Sequence, residues 1–428
     1  VCSRATPSFS ASMVFSNDCQ PSRACQRPVT VNSLMCSAGR ANGKYLPQRS
    51  PERETIWRSG PSRQAMPTVE ADALESFART ALVEAGTPPD TAGAVASSLV
   101  DADLAGHTSH GVVRAPWYAE GVATGDVDPD AEPSVESAGP FAQIAGGAAF
   151  GQLVGRRAVE TLIGAARDRG VAAVGIRDSG HLGRIGEWAE RVAGEGLLFV
   201  SWVNLQGGAQ RIAPHGSADR RLGTNPLTFA VPAFGALPFD PVYDGATSQV
   251  AHGKVIERDG SGECLPEAWT VTDSGAPVER ATDFEAGEGA LLPFGGRETG
   301  YKGFGLATMA ELFAAVVGGG PVATDPDQAW RGNGAAFLAV DPAAFTTPEA
   351  VAAKVEGLAE HVRSADPIDG EGGDVPGDDR ILLPGEKEHE TRQRRLEEGI
   401  PVTGTVAGDL RDLAAEQGTE ASLPEPLR

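Results

Sequence analysis

Five of the seven histidines lie between residues 107 and 252, and one of them stands among side chains suited to acid–base chemistry. His110 follows Ser109 and precedes Arg114 and Tyr118. An imidazole takes or gives a proton near neutral pH, and a guanidinium binds a carboxylate through two parallel hydrogen bonds. The segment therefore favours proton transfer on a small organic anion, although a helix end with capping side chains would leave the same pattern.

A second candidate is His181, which lies between Gly180 and Leu182. The apolar run 171–176 predicts a buried strand before it, and 184–193 predicts a helix after it. Ligands gather at the carboxyl ends of strands in α/β sheets, and a flanking glycine allows close approach of a ligand. This position makes His181 a candidate site residue, although a polar turn without a functional role is also common after a strand.

Lys302, one of only five lysines, stands in a glycine-rich stretch before an apolar helix predicted at 302–317. Backbone amides point outward at a helix start, so a lysine there suits a phosphate or a carboxylate. A solvated lysine in a flexible loop is the alternative. Thr224 and the run 244–246 are predicted to lie in tight polar turns next to strands.

The elements that would position these residues alternate between helix and strand. Apolar residues at helical spacing predict a helix that begins at a capping Thr68 and ends at Gly86, and further helices follow Asp90 and cover 151–169 and 347–363. Strands are predicted at 197–204, 227–231 and 335–340. This alternation predicts a mixed α/β fold, with a glycine-, proline- and aspartate-rich connection reaching Gly147.

Four segments are predicted along the chain. Residues 66–145 form a helical region that carries the substrate site, 146–320 a mixed α/β cofactor-binding domain, and 321–428 an α/β region that returns to the first, with an acidic loop at 364–379. Residues 1–65 hold nine of the 36 lysines and arginines and four of the five cysteines, without helical or alternating periodicity. They are predicted to lie outside the fold, as a targeting arm or an over-extended start upstream of Met66.

Net charge limits the partners. The formal charge is −22, whereas a nucleic acid or an anionic membrane face requires clustered cations. No run of about 18 apolar residues occurs, so we expect no membrane span. The acidic surface indicates a salt-adapted protein, and the single cysteine after residue 65 indicates a cytoplasmic, reducing compartment.

Common sequence signatures of other enzymes are missing. The chain contains no G-x-G-x-x-G, G-x-x-x-x-G-K-[ST], G-x-S-x-G or H-E-x-x-H. This lowers the expectation for a Rossmann dehydrogenase, a P-loop enzyme, an α/β hydrolase or a zinc protease. A metal-dependent hydrolase or lyase that uses the central histidines and Asp244 remains the alternative enzyme class.

Taken in order, the motifs resemble the malate/L-lactate dehydrogenase family that lacks the Rossmann fold, from about Met66 to Val402. Each motif is short, and the specificity lies in their joint order. The motifs are Ser109-His110-Gly111 with Arg114 and Tyr118, Gly180-His181, Gly223-Thr224-Asn225-Pro226, Ala246-Thr247-Ser248 with Gly253-Lys254, Pro293-Phe294-Gly295-Gly296, Lys302-Gly303-Phe304-Gly305, and Leu383-Pro384-Gly385-Glu386.

The resemblance implies a non-Rossmann enzyme that moves a hydride between NAD or NADP and a small 2-hydroxy or 2-oxo acid, without a metal. It implies His110 or His181 as the proton carrier, with Ser109, Arg114 and Tyr118 at the substrate. It also implies a homodimer whose active site draws on both subunits. The residues it assigns to the cofactor are Asn204, Leu205, Thr224, Asp244, Gly245, Ala246, Lys302, Pro384, Gly385 and Glu386.

Overall fold

Seven strands of the described chain form one mixed sheet that organises the rest of the fold. The computed structural model describes residues 66–261, 264–330, 332–368 and 380–428. The strands are β1 (Thr68–Val69), β2 (Ser134–Ala138), β3 (Phe141–Ala145), β4 (Val171–Ser179), β5 (Leu198–Asn204), β6 (Leu227–Ala230), β7 (Val242–Gly245), β8 (Thr270–Val271), β9 (Ala290–Leu291), β10 (Asn333–Val340) and β11 (Ile400–Pro401).

Helices surround this sheet on both faces and form a separate layer beside it. They are α1 (Ala71–Glu84), α2 (Pro89–Leu104), α3 (Ala115–Thr124), α4 (Gly151–Arg169), α5 (Ile185–Gly194), α6 (His252–Ser261), α7 (Ala281–Glu285), α8 (Gly296–Gly318), α9 (Pro348–Arg363), α10 (Glu386–Glu398) and α11 (Gly404–Gln417).

The order of the main sheet is β2-β3-β4-β10-β5-β6-β7. Its one parallel pair is β3 with β4, joined by α4, and the other described neighbours in this sheet run antiparallel. Val174 and Ile176 pack with α4 and α5, while Gly175 faces α8 from the other side, since successive residues of a strand point to opposite faces. A Cβ at Gly175 would lie 2.1 Å from the carbonyl oxygen of Val317, so glycine lets α8 approach the sheet closely.

The helical layer consists of α1, α2, α3 and α11 around one apolar core. Leu74 and Phe77 of α1 and Leu99 of α2 are fully buried there with Leu410 of α11. The pairing of β1 with β11 ties the start of this layer to the C-terminal part of the chain. A smaller cluster that includes Ile212, Val255 and Phe284 forms a lobe with α6, α7 and the β8–β9 pair.

The predicted mixed α/β fold is confirmed, and the helix predicted at 151–169 has the observed bounds. Two local predictions are wrong. Thr68 does not cap the first helix, because it lies in β1 and pairs with β11. The residue that precedes α1 is Glu70. The connection before Gly147 contains β2 and β3. Strand β2 is mostly exposed and shows no recognisable alternation, and β3 is paired on one side with β2 and on the other with β4.

A third correction concerns Lys302. Helix α8 begins at Gly296, six residues before the predicted start, so Lys302 lies inside the helix and not at its exposed amide end. Its glycines serve close packing: a Cβ at Gly303 would come within 2.3 Å of the backbone of Phe294. The glycines that indicated a loop therefore belong to a helix pressed against a neighbouring segment.

Other predictions are not tested by the described residues. Residues 1–65 and most of the predicted acidic loop, 369–379, lie outside the described residues. The division of 66–428 into three segments stays a prediction. Among the helices that the structure describes, none has the length and apolar character required to cross a bilayer.

Candidate active site

Two short 3₁₀ turns carry the first group of predicted site residues. Thr108–His110 and Val112–Arg114 lie between α2 and α3, and the buried Asp103 at the end of α2 fixes them. Asp103 Oδ2 accepts a 2.8 Å hydrogen bond from the amide of Val112. A Cβ at Gly111 would lie only 2.0 Å from Asp103 Oδ1, so the carboxylate fills the space that a side chain would need.

Within these turns, Ser109, His110 and Arg114 contact one another. Ser109 Oγ lies 3.0 Å from His110 Nδ1, and Arg114 Nε donates a 2.7 Å hydrogen bond to the carbonyl oxygen of Ser109. The Arg114 guanidinium also lies 5.5 Å from the ring centroid of Trp117. These contacts hold the guanidinium by one edge and leave its two terminal nitrogens without a partner among the described residues.

Close backbone packing positions His181 in the loop after β4. A Cβ at Gly151 would come within 2.1 Å of the His181 carbonyl oxygen, and one at Gly180 within 2.7 Å of the Ala149 carbonyl oxygen. The amide of Leu182 donates to Asn333 Oδ1 at 2.9 Å. The start of α4 and the start of β10 therefore hold the loop from two sides.

The two predicted histidines come together. The rings of His110 and His181 stack with centroids 5.5 Å apart and an interplanar angle of 17°. The hydroxyl of Tyr118 lies 2.8 Å from His181 Nδ1, and Gln152 Nε2 donates to that hydroxyl at 2.8 Å. Residues from α3, α4 and the loop after β4 thus meet at one imidazole, and Oε1 of Gln152 is buried without a hydrogen-bond partner.

Burial and like charge keep both imidazoles neutral. Burial, reinforced by the positive charges of Arg114, His107 and Arg184, lowers the pKa of His110 to about 3. Burial, with His110 and Arg114 adding to it, holds the pKa of His181 well below its usual value. Burial raises the pKa of Tyr118 to about 12, so the phenol keeps its proton.

A cavity of about 190 Å³ opens beside His181. Its inner wall is formed by aromatic and small residues, and its solvent side by residues at the end of α3 and after it. The inner residues, which are buried or partly buried, are Trp117, Tyr118, Gly121, Val127, Phe150, Gly180, His181 and Trp330, and the exposed outer ones are Glu120, Thr124 and Asp126. Of the predicted site residues, His181 and Tyr118 line this cavity, whereas Ser109, His110 and Arg114 lie beside it.

One group of the predicted cofactor residues lies around β7. Asp244 Oδ2 accepts a 2.7 Å hydrogen bond from the amide of Gly186 in the first turn of α5, and its Oδ1 accepts one from Thr228. The carbonyl oxygen of Pro384 accepts from the amide of Val242, which brings Gly385 and Glu386 to the same edge. The buried Glu386 also forms an ion pair with Arg363.

The remaining cofactor residues follow β5 and β6. The buried Asn204 ends β5, and its Nδ2 donates to Glu311 of α8 at 3.0 Å. Leu205 packs against Gly223, and the carbonyl oxygen of Thr224 accepts from Thr247, which directly follows Ala246. The prediction of a turn at 244–246 is wrong for Asp244 and Gly245, which lie in β7; Gly245 is opposite Leu227, so the β6–β7 pair joins the two groups. The exposed Lys302 has its ammonium 6.0 Å from the ring centroid of Tyr301.

The other central histidines do not join His110 and His181. His107 lies 3.2 Å from Glu388, His252 lies 2.7 Å from Glu285, and the His215 ring contacts the ring of Tyr301. In the part of the chain that the structure describes, no three His, Cys, Asp or Glu side chains converge on a common point. The metal-hydrolase alternative required such convergence of the histidines with Asp244.

Four residues of the site were not predicted. Gln152 contacts Tyr118, Asp103 holds the turn at Gly111, and the rings of Trp117 and Trp330 lie 5.2 Å apart at the cavity. Trp117 stands beside a predicted residue and is one of six tryptophans, which was a usable signal. Gln152 and Trp330 lie far from the motifs along the chain, and Asp103 precedes Ser109 by only six residues but belongs to no motif, so their contacts in the fold are what reveal all three.

Paired neutral imidazoles, a guanidinium whose terminal nitrogens have no partner among the described residues, and a mixed sheet without a glycine fingerprint fit the predicted dehydrogenase of non-Rossmann type. Comparison with known proteins agrees, since residues 69–411 match the family model described as malate/L-lactate dehydrogenase. The chain belongs to this family, whose nicotinamide-dependent 2-hydroxy acid dehydrogenase class was predicted and is confirmed. The comparisons give the metal-hydrolase alternative no support.

Individual relatives are similar over most of their length. A malate dehydrogenase of Pyrococcus abyssi is 32% identical over 82% of this chain and 95% of its own. An L-sulfolactate dehydrogenase of Methanocaldococcus jannaschii is 31% identical over 78% and 92%. Among solved structures, the malate dehydrogenase of Pyrococcus horikoshii OT3 has a TM-score of 0.71 at 31% identity, covering 84% of this chain and 98% of its own.

Proposed function

We propose that this enzyme oxidises a 2-hydroxy acid, or reduces the 2-oxo acid, with Arg114 binding the carboxylate and His181 exchanging the hydroxyl proton. The observation that carries the proposal is the contact of His181 Nδ1 with Tyr118 on the wall of the cavity. Because Nδ1 is engaged, Nε2 is the ring nitrogen left for the substrate oxygen. His110 stacks behind this ring and is the alternative proton carrier.

Arg114 is suited to a carboxylate because its Nε is already occupied by Ser109. The two terminal nitrogens form a fork that matches two carboxylate oxygens, and such pairs fix the orientation of the ligand as well as its position. The Tyr118 hydroxyl contacts Nδ1 of the His181 ring, and Gln152 donates a hydrogen bond to that hydroxyl. Contacts within the fold thus fix the positions of Arg114, Tyr118 and His181.

Substrate charge would couple binding to proton transfer. The guanidinium of Arg114 helps to lower the pKa of both imidazoles. An anion bound to Arg114 cancels that positive charge, so the pKa of each imidazole rises toward the range in which it exchanges a proton. Oxidation then removes a hydride from the C–H bond and a proton from the hydroxyl, leaving a carbonyl. The imidazole accepts only the proton.

The residues around β7 fit a nicotinamide dinucleotide. Gly245 and Gly385 allow close packing around this strand: a Cβ at Gly385 would lie 3.0 Å from the Val242 amide, and one at Gly245 would meet the Tyr243 hydroxyl. Each oxygen of Asp244 keeps a lone pair for a ribose hydroxyl, and Lys302 supplies a cation. When bound, the nicotinamide accepts or gives the hydride. Asn204, Leu205, Thr224, Ala246, Pro384 and Glu386 complete the proposed cofactor set, for NAD or NADP.

The exposed face of α8 supports the proposed homodimer. Small residues such as Ala307 and Ala310 face the sheet, whereas the opposite face exposes large apolar side chains. Large exposed apolar patches mark protein interfaces. The exposed residues are Tyr301, Leu306, Met309, Leu312, Phe313 and Val316. We also propose a salt-adapted, cytoplasmic enzyme, which the net charge of −22 and the single cysteine after residue 65 support.

Two matched variants test the proton carrier. His181→Asn should reduce kcat at least a thousandfold at saturating substrate with either NAD or NADP, while reduced-cofactor binding, followed by fluorescence, changes little. His110→Asn is the companion and should leave more activity. Near wild-type kcat in His181→Asn, with loss in His110→Asn, would transfer the role to His110. Absence of turnover with every 2-hydroxy acid and both cofactors would contradict the proposed function.

A further inference from the structure

The walls of the cavity beside His181 are unevenly charged. Trp117, Phe150 and Trp330 give the inner part aromatic surfaces. The outer part carries Glu120 and Asp126, both exposed at the solvent side. Apart from His181 and Tyr118, these two carboxylates are the only ionisable side chains among the described residues that line the cavity.

Among the described residues, charge matching at this site therefore stops at one carboxylate. Arg114 lies beside the cavity, and its terminal nitrogens can satisfy a single carboxylate. A second anionic group on the same substrate would extend toward the aromatic wall or toward Glu120 and Asp126. Neither place is favourable, because an unpaired charge is costly to desolvate and like charges repel.

The volume of the cavity also suits an apolar substituent on the substrate. The cavity measures about 190 Å³, and an apolar protein cavity of roughly 150 Å³ accepts a benzene molecule. Aromatic faces also favour stacking with a ring or contact with a branched alkyl group. The space is thus sufficient for a substituent of isobutyl to benzyl size on the carbon that bears the hydroxyl group.

We propose that the substrate is a monocarboxylic 2-hydroxy or 2-oxo acid with an uncharged apolar side chain, and that Glu120 and Asp126 disfavour acids with a second anionic group. The inference rests on the proposed function, since it places the single carboxylate at Arg114. Glu120 and Asp126 act as specificity-determining residues. The reaction itself requires neither of them.

The test compares kcat/KM of the full-length enzyme for 2-hydroxy-3-phenylpropanoate, 2-hydroxy-4-methylpentanoate and malate, with NAD and with NADP. We expect at least a tenfold preference for the two uncharged acids at low salt, and a smaller preference at high salt because exposed charges are screened. Malate used as well as or better than both would overturn this inference while leaving the dehydrogenase assignment intact. No turnover with any acid would overturn both.

A double variant that neutralises both carboxylates tests whether they cause the substrate preference. In Glu120→Gln/Asp126→Asn, the ratio of kcat/KM for malate to that for 2-hydroxy-3-phenylpropanoate should rise at least fivefold. Asp130→Asn/Glu132→Gln removes two exposed carboxylates nearby that do not line the cavity, and should leave the ratio unchanged. An unchanged ratio in the first variant, or an equal rise in both, would contradict a role for Glu120 and Asp126.

Discussion

At the scale of single residues, the neutrality of the two imidazoles predicts the pH dependence. The pKa of His110 is lowered to about 3 and that of His181 lies well below its usual value. A lowered pKa means that the neutral, proton-accepting form persists as the pH falls. The kcat/KM for oxidation, which reports the free enzyme, should therefore stay level through pH 6.5 down to about pH 5.5.

Profiles of kcat/KM against pH from 5 to 9 check this, with protein integrity followed by circular dichroism at each pH. A loss of activity centred near pH 6.5 in intact protein would mean that the essential imidazole titrates like a free histidine. The same profile for His110→Asn separates the two rings, because removing one neighbour raises the pKa of the other.

Arg114 gives a second prediction at this scale. Arg114→Lys keeps the charge but loses the fork and the Nε contact with Ser109. Losing one or two charge-assisted hydrogen bonds should raise KM about tenfold to a hundredfold, with a smaller effect on kcat. Steady-state kinetics with a 2-hydroxy acid measures it. Arg156→Lys, an arginine of α4 outside the described site, is the control, and a KM equal to wild type in Arg114→Lys would contradict carboxylate binding there.

Sequence motifs predicted the histidines, Arg114 and Tyr118, because each belongs to a short local pattern. They could not predict which side chains would meet. The contact of His181 with Tyr118 spans 63 residues along the chain, and the wall formed by Trp330 lies still further away. The cavity and its charges depend on packing between α3, α4 and the loop after β4, and no local pattern encodes that packing.

At the scale of elements, the turn between α2 and α3 is fixed by one buried carboxylate. In Gly111→Ala, the new Cβ would lie 2.0 Å from Asp103 Oδ1, so the turn or the carboxylate must move. We expect a loss of most activity and a lower Tm. Gly164→Ala in α4 is the matched control, since a Cβ there meets nothing within 4 Å and alanine stabilises a helix by up to about 1 kcal/mol.

Kinetics and thermal denaturation of both variants provide the measurement. Wild-type activity in Gly111→Ala would show that catalysis does not depend on the position of this turn.

Helical periodicity predicted α4 well, yet it misplaced the start of α8. In α8 the glycines at 300, 303 and 305 indicate a loop by propensity, and tertiary packing against Phe294 overrides that preference.

At the scale of the whole molecule, the exposed face of α8 predicts assembly. Met309→Glu/Leu312→Glu places two charges on this face and should shift the protein from dimer to monomer in sedimentation equilibrium, with retained helical content. Leu358→Glu on α9 changes an exposed leucine elsewhere and is the control. A wild-type enzyme that sediments as a monomer, or a variant that stays dimeric, would contradict an interface at α8.

Salt gives a second prediction for the whole molecule. With a net charge of −22, self-repulsion opposes the compact state, and added ions screen it. The Tm should rise between 0.1 and 2 M KCl, as measured by scanning calorimetry. A Tm that is unchanged or falls over this range would argue against salt adaptation.

The pairing of β1 with β11 has a consequence for biosynthesis. Thr68 and Val69 lie opposite Pro401 and Ile400 in this antiparallel pair, and α11 fills the same core as α1 and α2. Helices α1 and α2 therefore leave the ribosome with apolar faces that α11 cannot cover until about 300 further residues have been translated. A chain interrupted before residue 400 would lack the segment that closes this layer, which makes its early helices natural clients for chaperones.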